Sequence, residues 1–305
     1  MEFRKFRYIL AIAEEGSITR AASRLYISQP SLSQLLSSVE KELGSPLFDR
    51  ATSPLKPTEL GKIYLATAQK IIALDKNLSD SASDLSNLKR GHIVIGSSPF
   101  RSTYLLANFL PRFQEKYPSI TLELRESTTK ELENMTLNSQ VDFSLSLLPI
   151  DEKHFEFAQI FSEELLLVLP KEHILAVKNK LIPGDLTHLQ SIDLKELTDT
   201  PFIRMHPEQK LHQELNDLCQ QAGFTPKIKL ETRSMETALA LTGAGLSASL
   251  LPEYLLQSFR PVNIPCYAHL KSKPSRKVVI IWRKNGYLSK AARTFITELT
   301  SFCQS

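Results

Sequence analysis

What this chain lacks narrows the field before any motif is read. Near its N-terminus the only apolar run is Tyr8 to Ala13, closed at once by Glu14 and Glu15. That is too short for a secretory leader, and no later run reaches the roughly 20 residues a membrane span needs. Cysteine is scarce. Cys219, Cys266 and Cys303 stand far apart and are odd in number, which suits a reduced, cytoplasmic protein better than a disulfide scaffold. A response to thiol oxidation stays as an alternative, with no resolving partner near any of the three in sequence. Glycine-rich phosphate loops and dinucleotide fingerprints are missing, so no cofactor is expected. The histidines His92, His154, His173, His188, His206, His212 and His269 make no metal-ligand spacing. His206 and His212, six apart, would fall on different faces of a helix. Asp142 and Glu123 are isolated acids, and no serine sits in a Gly-x-Ser-x-Gly elbow. These residues set up no catalytic centre and no metal site, and the expectation is a protein that is not an enzyme.

An excess of one charge is missing too. Residues 1–90 hold 13 Lys/Arg against 10 Asp/Glu, and residues 91–305 hold 24 against 23. Such a balance permits nucleic-acid binding without advertising it, because phosphate neutralisation depends on local clustering that totals hide. The 305 residues are 42% hydrophobic and 23% charged, ordinary for a folded chain and long enough for two or three domains.

What is there is concentrated between Ala21 and Arg50. Ala21, Ala22 and Leu25 give a short helix its buried face, and Ile27 closes it against a core. Ser28 then suits the cap of a second helix, with Pro30 in the first turn, where a missing N–H does no harm. Leu32, Leu35, Leu36, Val39 and Leu43 recur at helical spacing, and Gly44 stops the run. The opposite face carries Gln29, Ser31, Ser33, Gln34, Ser37 and Ser38, short donors and acceptors suited to base edges in a major groove. The unit reads as helix-turn-helix. Before it, Phe3, Phe6, Ile9, Leu10 and Ala13 mark the inner stripe of an opening helix. After it, Ala51 to Pro57 should form a short wing with Arg50 and Lys56 at its edges, as phosphate contacts or as plain surface charges.

The run resembles the LysR-type transcriptional regulators. The resemblance is carried by Phe6, Ala11, Glu15, Gly16, Ser17, Ala21-Ala22, Leu25, Ser28-Gln29-Pro30, Leu32-Ser33, Val39-Glu40, Leu43-Gly44, Leu47-Phe48, Arg50, Thr58 and Gly61. It continues through Ile95-Gly96, Leu110-Pro111-Arg112-Phe113, Tyr117-Pro118, Pro201-Phe202-Ile203, Ala222-Gly223-Phe224 and Leu250-Leu251-Pro252. It departs at Leu60, where the family usually has alanine, and in a wing with fewer arginines.

Past the wing, Leu60, Tyr64, Thr67, Ile71, Leu74, Leu78, Ser81, Leu85 and Leu88 fall at alternating steps of four and three. That is a heptad seam, and it asks for a partner helix. With a reader that works on two half-sites it points to a homodimer, or a tetramer, paired through Ile71, Leu74, Leu78 and Leu85. From His92 onward short apolar strands alternate with helical stretches, which implies a mainly parallel sheet with right-handed crossovers. The alternation restarts after Phe161. Two α/β halves joined by two crossing segments look like a periplasmic-binding-protein fold, as the resemblance also implies for the family's effector domain.

The expected architecture is therefore an all-α winged helix-turn-helix (residues 1–58), a linker helix for dimerisation (59–90) and an effector-binding domain (91–305). The last divides into subdomain I, 91–161 with 267–305, and subdomain II, 162–266. In open α/β sheets ligands bind outside the carboxyl ends of strands, against helix N-termini. Those positions hold Ser98, Arg101, Ser127, Thr128 and Arg204, which would suit a small anionic metabolite, although Ser and Thr there also serve as helix caps. The expected DNA contacts are Ser28, Gln29, Pro30, Ser31, Ser33, Gln34, Arg50 and Lys56. The expected partners are double-stranded DNA, a small effector and a second copy of the chain, with no membrane. A solute-binding protein is the rival reading, for which residues 91–305 would suffice.

Overall fold

The computed structural model describes residues 2–85 and 91–304, with the side chains of residues 2, 76, 77 and 79–85 excepted. Helix α1 (Glu2–Glu15) opens the chain, followed by α2 (Ile18–Arg24) and α3 (Gln29–Leu43). Two short strands, β1 (Phe48–Asp49) and β2 (Lys56–Pro57), pair antiparallel as the wing. Ile9, Ala11 and Ile12 from α1, Ala21 and Ala22 from α2, and Leu32, Leu36 and Val39 from α3 bury together with Leu47 and Phe48. The inner stripe of α1 thus differs from the expected one. Ile9 is buried as expected, but Phe3 is exposed and Phe6 lies against Tyr64, ring centroids 5.7 Å apart. The first helix has two neighbours, the reading pair on one side and the linker helix on another, so its apolar residues divide between two faces.

Helix α4 (Glu59–Leu85) leaves the wing. Its entry is fixed by Gly61, where a Cβ would overlap the carbonyl oxygen of Leu47. Leu60 and Tyr64, expected in the dimer seam, pack instead on the N-terminal core. Among its described side chains, the large apolar ones left in solvent are Ile63, Leu74 at 63% exposure and Leu78 at 71%. Leu88 falls outside the described residues, as do the side chains of Ser81 and Leu85.

The remainder holds two sheets that share one strand. Sheet one orders β4 (Ile120–Glu126), β3 (Gly91–Ser97), β5 (Phe143–Leu147) and β12 (Ser275–Arg283), with β3 parallel to both β4 and β5. Around it lie α5 (Pro99–Arg101), a π-helical turn at Ser102–Leu106, α6 (Ala107–Lys116), α7 (Thr129–Leu137) and α12 (Lys290–Gln304). Strand β6 (Phe155–Leu169) runs antiparallel to β12 through this sheet and continues into the second. There its end pairs with β10 (Ala248–Pro252) and β11 (Cys266–Leu270). β10 lies parallel to β8 (Phe202–Met205), which lies parallel to β9 (Ile228–Thr232), while β7 (Ser191–Ile192) flanks β11. Helices α8 (Ile174–Lys178), α9 (Lys210–Gln221), α10 (Met235–Gly243) and α11 (Glu253–Ser258) complete this half.

Each half therefore has a parallel three-stranded centre, but the crossing strands pair antiparallel because the chain must traverse and return. The return crossing lies later than expected. β11 hydrogen-bonds within the second half, so residues 267–270 belong there and the chain crosses back between β11 and β12. Separate apolar cores fill the halves, one built around Phe109, Phe113, Phe143 and Phe295, the other around Leu165–Leu169, Phe202 and Leu251.

Candidate functional site

Two surfaces concentrate the residues singled out above. The first is the outer face of α3. Ser17 caps α2, accepting from the Arg20 N–H, and the corner between the helices is made by Tyr26, whose φ of 54° lies in the left-handed region. Tyr26 is 96% exposed there, a residue the sequence patterns did not single out. Ser28 caps α3. Its hydroxyl accepts from the Ser31 N–H at 3.3 Å and lies 2.7 Å from the Ser31 hydroxyl. Gln29, Pro30, Ser31 and Gln34 are exposed, Ser33 is half-buried, and Leu32, Leu36 and Val39 hold the other side in the core. Gly44 ends the helix with φ 75°.

The wing is strapped to this helix. Glu40 accepts from Arg50 Nη2 at 2.8 Å through one carboxylate oxygen and from the Leu47 N–H at 2.8 Å through the other. Arg50 thus has a structural partner as well as an exposed position. The Lys56 side chain is exposed on β2, and its backbone N–H donates to Thr52.

The second surface is a cleft of about 510 Å³ between the two α/β halves, a size suited to a small metabolite. Four helical segments begin at it. Ser98 caps α5, Thr128 caps α7 and Ser234 caps α10, each hydroxyl accepting a backbone N–H. The cap of α9, Gln209, makes no such side-chain bond and donates instead to the Arg233 carbonyl at 3.0 Å. N-terminal partial charges of these segments add to a positive field at the opening. Ser127 donates to Glu131, and that bond holds the Glu131 carboxyl below its ordinary range.

Beneath lies a buried charge cluster. Arg276 Nε and Arg101 Nη2 donate to the same oxygen of Glu163, at 2.7 and 3.2 Å, and Arg276 Nη1 reaches Glu214 at 3.4 Å. Burial pulls the Arg101 guanidinium down to about 10 against the opposing pull of Glu163. Arg101 Nε and Arg276 Nη2 are buried with no hydrogen-bond partner. Lys210 Nζ donates to the carbonyls of Leu147 and Pro149 at 2.5 and 2.9 Å and lies 3.4 Å from Glu133. Burial lowers its pKa, with Glu133 opposing.

Of the expected effector residues, Ser98, Arg101, Ser127 and Thr128 line this cleft. Arg101 does so as a buried ion-pair partner rather than as a free cation. Arg204 is not among the lining residues. Its guanidinium is spent on Glu231, at 2.7 and 3.0 Å, and on Asn216 at 3.0 Å, because Arg204 and Glu231 stand at paired positions of β8 and β9. Arg233, beside the strand end at Thr232, also lines the cleft, and Lys210, Glu236 and Arg276 line it without having been expected there. Arg276 carried no local signal, since only the pairing of β12 with β6 brings it beside Glu163.

The thiols are poorly placed for redox chemistry. Cys219 and Cys266 are buried, and burial pushes the Cys219 and Cys303 thiols up to about 11 and raises that of Cys266. Among the described residues no three His, Cys, Asp or Glu side chains gather as a metal site, and no helix is long and apolar enough to cross a membrane.

Comparison with known proteins covers both surfaces. Residues 3–62 match the family model described as bacterial regulatory helix-turn-helix protein, lysR family, and residues 86–304 match the LysR substrate binding domain. The chain is 31% identical over 302 residues to the uncharacterized HTH-type transcriptional regulator YwbI of Bacillus subtilis, covering 99% of this chain and 97% of that one. With YcgK of the same organism, also an uncharacterized HTH-type transcriptional regulator, it shares 29% over 303 residues, 97% of this chain and 93% of that one. Among solved structures, a full-length OxyR from Pseudomonas aeruginosa superposes with a TM-score of 0.74 at 24% identity, covering 100% of this chain and 95% of the other, a likeness of fold.

Proposed function

This chain belongs to the LysR family of transcriptional regulators, with a helix-turn-helix DNA-binding domain and an effector-binding domain, and on that premise we propose how its own residues divide the work. Gln29, Pro30, Ser33 and Gln34 read base edges in the major groove, Pro30 packing on a thymine methyl. Ser28, Ser31, Arg50 and Lys56 hold the phosphate backbone, as does the exposed hydroxyl of Tyr26 at the corner. Two copies pair through Ile71, Leu74, Leu78 and Leu85 of α4, presenting two readers to two half-sites. The domain division is the reader to residue 58, a linker that includes α4 (Glu59–Leu85), and the effector domain from residue 91 onward. Its place of action is the cytoplasm, with the DNA.

The effector is a small anionic metabolite held in the cleft by Ser98, Ser127 and Thr128, for binding and not for turnover. The observation that carries this is the meeting of four helical N-termini over a cluster whose buried guanidiniums keep two N–H groups without partners. An anion there offsets the cluster's unmet donors and the helix-end field together. Its binding changes the angle between the halves, and with it the spacing of the reading heads and the bend of the DNA. The experiment is a footprint on the neighbouring promoter, with thermal-shift screening of carboxylates and their amides. Carboxylates should raise the melting temperature where the matching amides do not. Equal stabilisation by both would exclude an anionic effector.

A further inference from the structure

Lys210 occupies an unusual position for a cleft residue. It is the first residue of α9, in the second half of the effector domain, yet every acceptor its ammonium reaches belongs to the first half. The Leu147 carbonyl closes β5, the Pro149 carbonyl follows it, and Glu133 stands on α7. A lysine ammonium has three protons, and here three acceptors take them. Glu133 is itself steadied by Ser146, whose hydroxyl donates to it at 3.3 Å. Arg276, on the strand that returns between the halves, adds a tie to Glu214 of α9, one turn of helix on from Lys210. The side chain of Lys210 also lines the cleft wall, beside the mouths of α5 and α7.

We propose that Lys210 is the positioning residue that fixes the angle between the two halves when the cleft is empty, by spanning from α9 to the end of β5. This rests on the reading of the cleft as the effector site and adds its control. A ligand carrying an acid group offers the ammonium a charged acceptor in place of two neutral carbonyls. The bonds to the carbonyls are already charge-assisted by the ammonium, but an acid group adds the attraction of an unlike charge that a neutral carbonyl cannot supply, so the exchange is favoured and the span to β5 is released. Uncharged ligands of the same shape offer no such exchange.

The test uses the full chain without added ligand. Spin labels carried by non-canonical residues at exposed Lys130 and Lys229, one on each half, report the distance between them. A charged hydrogen bond contributes about a factor of ten in an equilibrium. Lys210→Met keeps the apolar stem and should lower the ratio of closed to open molecules at least tenfold, seen as a second, longer distance. Lys210→Arg can still donate to both carbonyls and should keep the wild-type distribution. Superposable distributions for Lys210→Met and wild type would overturn the proposal, and so would equal shifts in the Met and Arg variants, which would assign the effect to packing. Should Lys210→Met fail to fold, Glu133→Gln takes its place, with a smaller shift expected in the same direction and no shift overturning the proposal. A gel shift of the wild-type chain on a promoter fragment is run alongside. Failure there would sink the regulator reading while leaving the label distances to judge Lys210.

Discussion

Glu163 and Arg276 face each other on directly paired positions of β6 and β12, with Oε1 2.7 Å from Nε and both side chains less than a tenth exposed. Arg101 shares the same oxygen, so one buried carboxylate serves two guanidiniums. Glu163→Ala should destabilise the effector domain by about 3–5 kcal/mol, because it strands two buried cations. Denaturant unfolding followed by circular dichroism measures it. A loss under about 1 kcal/mol would mean that water reaches the guanidiniums and the cluster is not sealed.

On the reading helix, Gln29→Ala or Ser33→Ala should cost about 1–3 kcal/mol of operator preference while leaving folding and effector binding intact. Lys56→Ala should weaken binding about equally on all sequences and lower the salt slope by about one. Quantitative gel shifts at several salt concentrations separate the two kinds of contact. Full specific binding by the Gln29 and Ser33 variants would move the reading helix elsewhere.

Leu74 and Leu78 leave most of their apolar surface in solvent in the single chain. Burying each on a partner is worth about 1.5–3 kcal/mol per side chain. The double substitution Leu74→Asp with Leu78→Asp should yield monomers by light scattering, with the melting of the effector domain unchanged. A variant that stayed dimeric would place the interface off this helix.

With the Cys219 and Cys303 thiols near 11, about one in ten thousand is thiolate at neutral pH. Mild peroxide should therefore leave DNA binding unchanged, and alkylation should be slow until the chain unfolds. Rapid modification of the native protein with a change of footprint would revive control by thiol oxidation.

His173 caps α8, its Nδ1 accepting from the Leu175 N–H and its Nε2 3.1 Å from the Thr200 hydroxyl, and burial lowers its pKa. The unfolded chain then takes up the proton more readily than the folded one. This group's contribution is full above the ordinary histidine value of about 6.5 and is lost as the pH falls below it. His173→Gln should narrow the gap between melting temperatures at pH 7.5 and 5.5. An unchanged gap would assign that pH dependence to other groups.

Local rules carried the reader well. The cap at Ser28, the stop at Gly44 and the apolar spacing of Leu32, Leu36 and Val39 are all settled within a few residues of chain, which is why helix-turn-helix was legible. The seam of α4 was legible only in part. Its first turns, at Leu60 and Tyr64, had a competing surface to bury against, and periodicity does not say which neighbour a stripe will meet. In the cleft the residues next to strand ends, Ser98, Ser127 and Thr128, followed from the strand-to-helix pattern. Arg276, Glu163 and Lys210 did not, because their positions depend on pairings across more than sixty residues. Arg204 failed for a similar reason: Glu231, at the paired position of β9, takes up its guanidinium. Residues 155–163 of β6 show no steady alternation, because the register with β12 shifts between Val278 and Val279, and the strand becomes solidly apolar only from Leu165.

The sharing of β6 by both sheets has a mechanical consequence. A swing about two slack connectors would let the halves part freely, but here one unbroken ribbon of fifteen residues enters both ladders. Reorientation must be spread along that ribbon as torsion, like the winding of a stiff strip held at each end. The permitted range is then narrow, and a small metabolite needs to supply only enough binding energy to choose between two neighbouring degrees of winding.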